Sequence, residues 1–405
     1  MSATVTASDI PCGFTFAATH CGLKKSKLDL ALIVSEIPAT AAAMFTTNIV
    51  KAAPLIVSQA HLRKSRTKMR AIIVNSGNAN CVTGSDGYAA ASATAEMLAR
   101  EIGAIDASQV FVNSTGVIGV PLRVGKILEA LPELVRSRRA DPAAFEDVTR
   151  AIMTTDTRPK WAAANCRIGG KIVKILGCAK GSGMISPNMA TMLAFLSTDA
   201  AIGTALLSRA LRGATGKTFN CITVDGDTST NDTVAVFANG QSGAQKITGQ
   251  GTSAYKKFCA ALESVCKSLA LEIVSDGEGA QRVIEIEVRG APSDRAAASV
   301  ARTIANSSLV KTALAGADPN WGRILAAAGR SGVKFNFEWA DVWLAGILMC
   351  RRGREQRFDE RIAHDKMLAK TVPIVVDLRS GRGQARMWTC DFTAEYVRIN
   401  ASYRT

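Results

Sequence analysis

Histidine is scarce in this sequence: 405 residues contain three, His20, His61 and His364. Ten cysteines are present, but no two form a CxxC pair, so a zinc site lacks both its usual ligands and their spacing. Cysteines scattered through a chain this long read as small buried side chains in a reducing compartment. No apolar run approaches the ~18 residues of a membrane span. The N-terminal MSATVTASDIPCGF has no basic region followed by an apolar block, so no secretory signal is visible and the expected location is the cytoplasm. Acidic residues are outnumbered, 34 against 49 Lys and Arg, which leaves a formal charge of +15. Nucleic-acid binding is one reading of that charge. However, the basic runs LKKSK, HLRKSRTKMR, RSRR and RRGREQR lie far apart, and aromatic residues, only 5% of the chain, do not interleave with them. A solvated basic surface is the better reading, and its field would attract small anionic substrates such as acidic amino acids.

What is abundant is hydrophobic content, 47% against 20% charged, which marks a globular chain. Short Val/Ile-rich runs closed by Gly, Asn or Asp predict strands at 71–77, 110–116, 171–177, 191–197, 219–226, 233–240 and 283–290. Between them, apolar residues spaced three and four apart predict helices at 87–103, 126–139, 203–214, 252–271 and 293–307. The class is α/β or α+β, with helices covering sheets. No Pro/Ser-rich linker or repeat divides the chain. The Gly-rich loop at 181–188 is the best candidate for a break of another kind.

Several familiar motifs fail on inspection. LRGATGKT (211–218) has Leu211 where a phosphate loop requires Gly and follows a helical run, so it reads as a helix C-terminus with a Gly stop. No GxGxxG follows a strand, and no GxSxG elbow occurs. DGDTSTNDT (225–233) has acidic spacing like a calcium loop but lacks the downstream Glu, and reads as a turn rich in side-chain-to-backbone hydrogen bonds. What remains is AKGSGMISPNMATMLAFLSTD (179–199), a small-residue loop that runs straight into an apolar segment, with Ala190-Thr191 at the seam. If Thr191 attacks the Ala190 carbonyl, the peptide becomes an ester and hydrolyses, leaving Thr191 as a new N-terminus. Its α-amine, with a pKa near ~8, can then act as general base to its own hydroxyl without any histidine. Gly181 and Gly183 free the backbone, Pro187 stiffens the approach, and Ala190 leaves room at the carbonyl.

KGSGMISPNMATML closely resembles the cleavage motif of the ornithine acetyltransferase family, the glutamate N-acetyltransferases of arginine biosynthesis. The segments DLALIVSEIPATAAAMFTTNIVKAAPL (29–55), IVNSGNANCVTG (73–84), VNSTGVIGVPL (112–122) and IMTTDTRPK (152–160) resemble that family too. So do TVDGDTSTNDT (223–233), SDGEGA (275–280), NSSLVKTALAGADPNWGRILAAAGRSG (306–332) and EYVRINASYRT (395–405). They stand in the family's order and nearly span the chain. The resemblance implies that Thr191 is the nucleophile freed by cleavage after Ala190, and that Thr115 and Gly116 form the oxyanion hole. It assigns Thr154, Lys180, Glu278, Asn400 and Thr405, with Thr191, to substrate binding. Lys180 and Glu278 offer opposite charges to an amino-acid zwitterion, and Lys180 near the Thr191 amine would help keep that amine neutral.

The fold so implied is a layered helix–sheet sandwich similar to the N-terminal nucleophile hydrolases, with a smaller C-terminal α/β subdomain at roughly 281–385. Fragments 1–190 and 191–405 are expected to form one intertwined unit, and family members assemble as dimers of the cleaved pair, an α2β2 heterotetramer. The implied reaction is ping-pong: N2-acetylornithine acetylates Thr191, ornithine leaves, and glutamate takes the acetyl group. No metal or bound cofactor is implied, nor a nucleic-acid or membrane partner. Some members also use acetyl-CoA as donor, which the sequence leaves open. A self-cleaving aminopeptidase or amidase, with water as acceptor, is the alternative, and a non-enzymatic nucleic-acid-binding protein is a second. Ser186, where the family commonly has Ala, and the unusually basic stretch 346–368 are departures that touch specificity and charge.

Overall fold

The computed structural model describes residues 4–186 and 192–402. Pro187, Ala190, Thr191 and Thr405 therefore lie outside the described residues. Eight strands form the first sheet: β1 (Phe14–Thr19), β2 (Leu30–Phe45), β3 (Lys68–Asn78), β4 (Val110–Val117), β5 (Lys160–Ile168), β6 (Lys171–Lys180), β7 (Leu193–Thr198) and β8 (Thr233–Ala238). Their order is β4-β3-β2-β8-β7-β6-β5, with β1 paired to β2. The pairs β3/β4 and β7/β8 are parallel; the others are antiparallel. The helices that follow these strands are α1 (Ala53–Lys64), α2 (Gly84–Ile102), α3 (Val124–Arg136), α4 (Pro142–Ala151), α5 (Thr204–Lys217) and α6 (Ser253–Ser275).

Alternation along the strands builds a layered sandwich. Ile72, Val74, Phe111, Phe195 and Phe237 bury together with Phe145 and Val148 of α4. Their neighbours in sequence point the other way: Ala71, Ile73 and Val112 pack with α2 and α3, and Ala194, Leu196 and Val236 with α5 and α6. Local signals set the helix ends. Asp141 caps α4 by accepting from the Ala144 amide at 2.8 Å, with Pro142 at the first helical position. Gly103, at φ +77°, ends α2 in the left-handed region.

A second sheet follows, built from β9 (Val283–Ala291), β10 (Asp341–Leu344), β11 (Ile347–Arg351), β12 (Arg354–Glu355), β13 (Thr371–Asp377) and β14 (Gly383–Cys390). Its order is β12-β11-β10-β13-β9-β14. With it come α7 (Asp294–Ala305), α8 (Ser308–Ala315), α9 (Trp321–Gly329), α10 (Glu360–Met367) and α11 (Ala394–Ser402). Ile284, Ile286, Val300, Ile304, Ile374 and Val376 share a core of their own. Among the described residues no helix is long and apolar enough to cross a membrane.

Most predicted elements have counterparts; two readings need correction. The run 219–226 is not a strand. Phe219–Cys221 is a 3-10 turn, Ile222 makes an isolated bridge to Trp388, and the Asp225 carboxylate binds backbone amides of another segment instead of leaving a ladder free to form. Nor do Gly213 and Gly216 stop α5, which continues to Lys217 because Leu207, Ala210, Leu211, Ala214 and Thr215 bury one continuous face. Of the ten cysteines, all free, five are buried and Cys12 is exposed.

The 23-residue α6 presents Phe258, Leu262, Val265, Leu269 and Ile273 at three- and four-residue spacing, all fully or almost fully buried. On β6, a Cβ at Gly177 would lie 3.1 Å from both Leu269 and Val265, so glycine lets the helix approach the sheet closely. Leu269→Ala should therefore cost about 2–5 kcal/mol. A lowered urea midpoint with unchanged slope would show it; an unmoved midpoint would mean that α6 does not brace the sheet.

Candidate functional site

The site grows from the ends of strands. Parallel β3 and β4 finish side by side at Gly77 and Gly116, with the register slipping just beyond. Gly116 has φ +131°, and a Cβ there would lie 2.4 Å from the Gly77 carbonyl carbon and 2.6 Å from the Asn78 nitrogen. Only glycine allows this crossing. The adjoining Thr115 is buried. Asn231 fixes this rim from the loop before β8: its Nδ2 donates to the carbonyls of Ala79 and Ser114, each at 2.7 Å. Ser114 in turn donates to Asn75 at 2.6 Å.

On the far side, antiparallel β6 ends at Lys180 opposite Leu193 of β7. The half-buried Lys180 ammonium donates to Thr154 Oγ1 at 3.3 Å. Burial drives its pKa down; the carboxylates of Asp156, Asp232 and Glu278 oppose that without restoring it. Glu278 follows α6, and its Oε2 accepts from Asn400 Nδ2 of α11 at 2.7 Å. The C-terminal helix is thus tied to the same place.

A cavity of 120 Å³ is lined by Thr115, Gly116, Thr154, Lys180, Glu278 and Asn400 together. Every described residue that the sequence pointed to for chemistry or binding faces this one space. Met192, next in the chain after Thr191, lines it too. Ala190, Thr191 and Thr405 are outside the described residues. Among the described residues no group of three or more His, Cys, Asp or Glu converges as a metal site.

Sequence reasoning passed over the groups that brace the cavity. Lys160, at the start of β5, is fully buried with its Nζ 2.6 Å from Asp156 and 2.5 Å from Asp276. Asp156 also accepts from the amides of Thr154 (2.9 Å) and Gly181 (2.7 Å). Burial alone would raise its pKa, but Lys160 and Lys180, with the Gly181 amide, hold the carboxyl below the usual range. Asp276 accepts from the Thr157 amide at 3.1 Å and from the Thr157 hydroxyl. Ser182 donates to the Asp276 carbonyl at 2.6 Å. Asp225 is the other omission. Burial lifts its pKa to about 6 even though it accepts amides from Asp227, Met184 and Ile185. The segments IMTTDTRPK and TVDGDTSTNDT contain these groups, but nothing in their order shows that they meet.

The arrangement suits a small polar ligand: one cation and several carboxylates, hydroxyls and a side-chain amide around a confined space. An ArgJ family model matches residues 15–405. A Thermotoga neapolitana protein named "Arginine biosynthesis bifunctional protein ArgJ" is 46% identical over 400 residues, 98% of this chain and 100% of that one. A protein of the same name from Lactococcus lactis is 47% identical over 395 residues, 97% of each chain. Among solved structures, arginine biosynthesis bifunctional protein argJ from Bacillus halodurans is 45% identical with a TM-score of 0.50, and 52% of this chain covers 98% of that chain.

Replacing Lys160 by Met would leave Asp156 and Asp276 buried without their shared counter-ion. The expected cost is about 3–5 kcal/mol, read as a lowered denaturation midpoint. Lys160→Met with the stability of the parent would show that the two carboxylates do not depend on it.

Proposed function

The chain belongs to the ArgJ family, and we propose that it transfers acetyl from N2-acetyl-L-ornithine to L-glutamate through an acetyl ester on Thr191. It is an acyltransferase of arginine biosynthesis, with a mixed α/β sandwich fold. The observation that carries the reaction is the meeting of Thr115, Gly116, Thr154, Lys180, Glu278 and Asn400 in one cavity beside Met192.

The chemistry needs two stages. First, Thr191 Oγ attacks the Ala190 carbonyl carbon, the C–N bond breaks, and the nitrogen takes the hydroxyl proton. Water then hydrolyses the ester, giving a carboxylate at Ala190 and a free Thr191 amine and hydroxyl. In the second stage that amine accepts the hydroxyl proton as Oγ adds to the acetyl carbonyl. Thr115 and Gly116 stabilise the oxyanion, and ornithine leaves with the proton on its α-amine. The glutamate α-amine repeats the steps in reverse, and N-acetylglutamate departs. Positive charge on Lys180 would favour a neutral Thr191 amine, and burial, which lowers the Lys180 pKa, weakens that effect. Glu278 and Asn400, hydrogen-bonded to each other, can take the ammonium and carboxylate of an amino acid, with Thr154 and Thr405 completing the set.

Two further observations support cleavage into fragments 1–190 and 191–405. The Bacillus halodurans chain is matched almost wholly by about half of this one, as a fragment of a cut precursor would be. In addition, strands from both fragments alternate in the first sheet, β2 beside β8 and β6 beside β7, so cutting would leave the fold joined. We extend this to an α2β2 assembly in the cytoplasm, with residues 281–385 as a C-terminal subdomain. The relatives' name, "bifunctional", supports acetyl-CoA as a second acetyl donor, used as substrate with no bound cofactor.

The test is incubation with N-acetylornithine and glutamate, with and without acetyl-CoA, following both products. Intact mass should give two fragments for the native chain and one for Thr191→Ala, which should not transfer acetyl. A native chain that stays whole and fully active would remove Thr191 from the mechanism. Thr115→Ala should lower kcat by roughly 10²–10³-fold with less effect on KM. An unchanged kcat with a raised KM would reassign Thr115 to substrate binding.

A further inference from the structure

We infer that Asp225 is a positioning residue for self-cleavage: it fixes the loop that leads into the Ala190–Thr191 bond. This rests on the cleavage reading above. The carboxylate spans two successive amides, Oδ2 accepting from Met184 N at 2.5 Å and Oδ1 from Ile185 N at 2.8 Å. The Ile185 carbonyl returns the contact by accepting from Val224 N at 2.7 Å. Met184 has φ +57°, a left-handed conformation that is unfavourable for a non-glycine residue. That conformation persists only where the surroundings enforce it, and the two amide bonds supply the enforcement. Ile185 is buried in the main core. On the other side of residues 186–191 the chain is fixed again, where the Met192 carbonyl accepts from Thr233 N at 2.9 Å. The described chain is thus held on both sides of residues 187–191, on the first side by the Asp225 carboxylate.

That side chain has to be a carboxylate. Each oxygen faces an N–H, so both must be acceptors. A protonated acid or an amide would turn a donor toward one of those N–H groups. Asp225 titrates near 6 because of burial, opposed by its amide bonds. Asp227 of its own loop faces it, as do Tyr396 of α11, whose hydroxyl donates at 3.4 Å, Lys311 of α8 and Cys390 of β14. Asp232, Lys180 and Glu278 share its cavity. As pH falls through about 6 the carboxylate gains a proton and loses one amide acceptor, so cleavage should slow on the acid side.

The experiment follows first-order cleavage of freshly synthesised full-length precursor by intact mass, from about pH 5 to about pH 8. Thr191→Ala serves as control. For the native chain we expect a fall in rate below a pH near 6. Asp225→Asn should cleave at least ~10-fold more slowly at neutral pH and show no such step. Asp225→Asn that cleaves at the native rate, or that keeps the acid step, overturns the inference. Asp225→Glu retains the carboxylate and decides the matter if the amide variant does not fold: an acid step supports the inference and its absence overturns it. Cleavage of Thr191→Ala would instead sink the cleavage reading itself, whatever Asp225 does.

Discussion

Lys160, buried between Asp156 and Asp276, joins parts of the chain that are more than a hundred residues apart. Asp156 belongs to the loop that carries Thr154 and ends at β5; Asp276 closes α6 and precedes Glu278. Taking three charges out of water is costly, and such a cluster stands only when its remaining lone pairs are filled. Here they are, by the amides of Thr154, Thr157 and Gly181 and the Thr157 hydroxyl. The ammonium thus does more than neutralise. It sets the distance between two carboxylates whose backbone partners lead to the cavity's Thr154, Lys180 and Glu278.

The same device recurs along the loop from 181 to 185. Asp156 takes the Gly181 amide, and Asp225 takes those of Met184 and Ile185. Between them Gly183 lies so close to Glu278 that a Cβ would be 2.3 Å from its carboxylate. A loop of small residues has little side chain to bury and gains order from backbone hydrogen bonds to fixed acceptors. Carboxylates suit this task because they accept through both oxygens and make stronger bonds to N–H groups than neutral acceptors do. They also leave the cavity rich in negative charge inside a chain whose net charge is +15. Long-range attraction of an anion and local attraction of an ammonium would therefore arise from different parts of the molecule.

Much of this was legible in the sequence. Strands at 71–77, 110–116 and 283–290 announced themselves because Val and Ile runs were closed by Gly or Asn, and α6 because its apolar residues kept helical spacing. The long β2 was harder to read, since its bulge between Val34 and Ala39 and its Ala-rich second half break the alternation that marks a strand. The cavity residues Thr115, Gly116, Thr154, Lys180, Glu278 and Asn400 were legible through resemblance, not through spacing. Lys160 and Asp225 were not, because a buried charge and a surface charge look alike in sequence until their partners are known. The basic run RRGREQR shows the same limit from the other direction. It has no aromatic within it, yet folding sets the Arg352 guanidinium 5.5 Å from the Trp339 ring.

Strand order bears on why a cut at residue 190 could be tolerated. β2 and β6 come before it, β7 and β8 after it, and the sheet places β8 between β2 and β7, and β7 between β8 and β6. Pulling the two fragments apart would expose two full ladders and split a core in which Phe111 lies with Phe195 and Phe237. A single peptide bond contributes nothing comparable to that burial. Its loss would change what the chain can do at one position, by freeing an amine, while the packing that sets Thr115 and Gly116 against the start of β7 would stay under the control of the sheet. In this architecture the interleaved strands would hold the halves together without the covalent link between them.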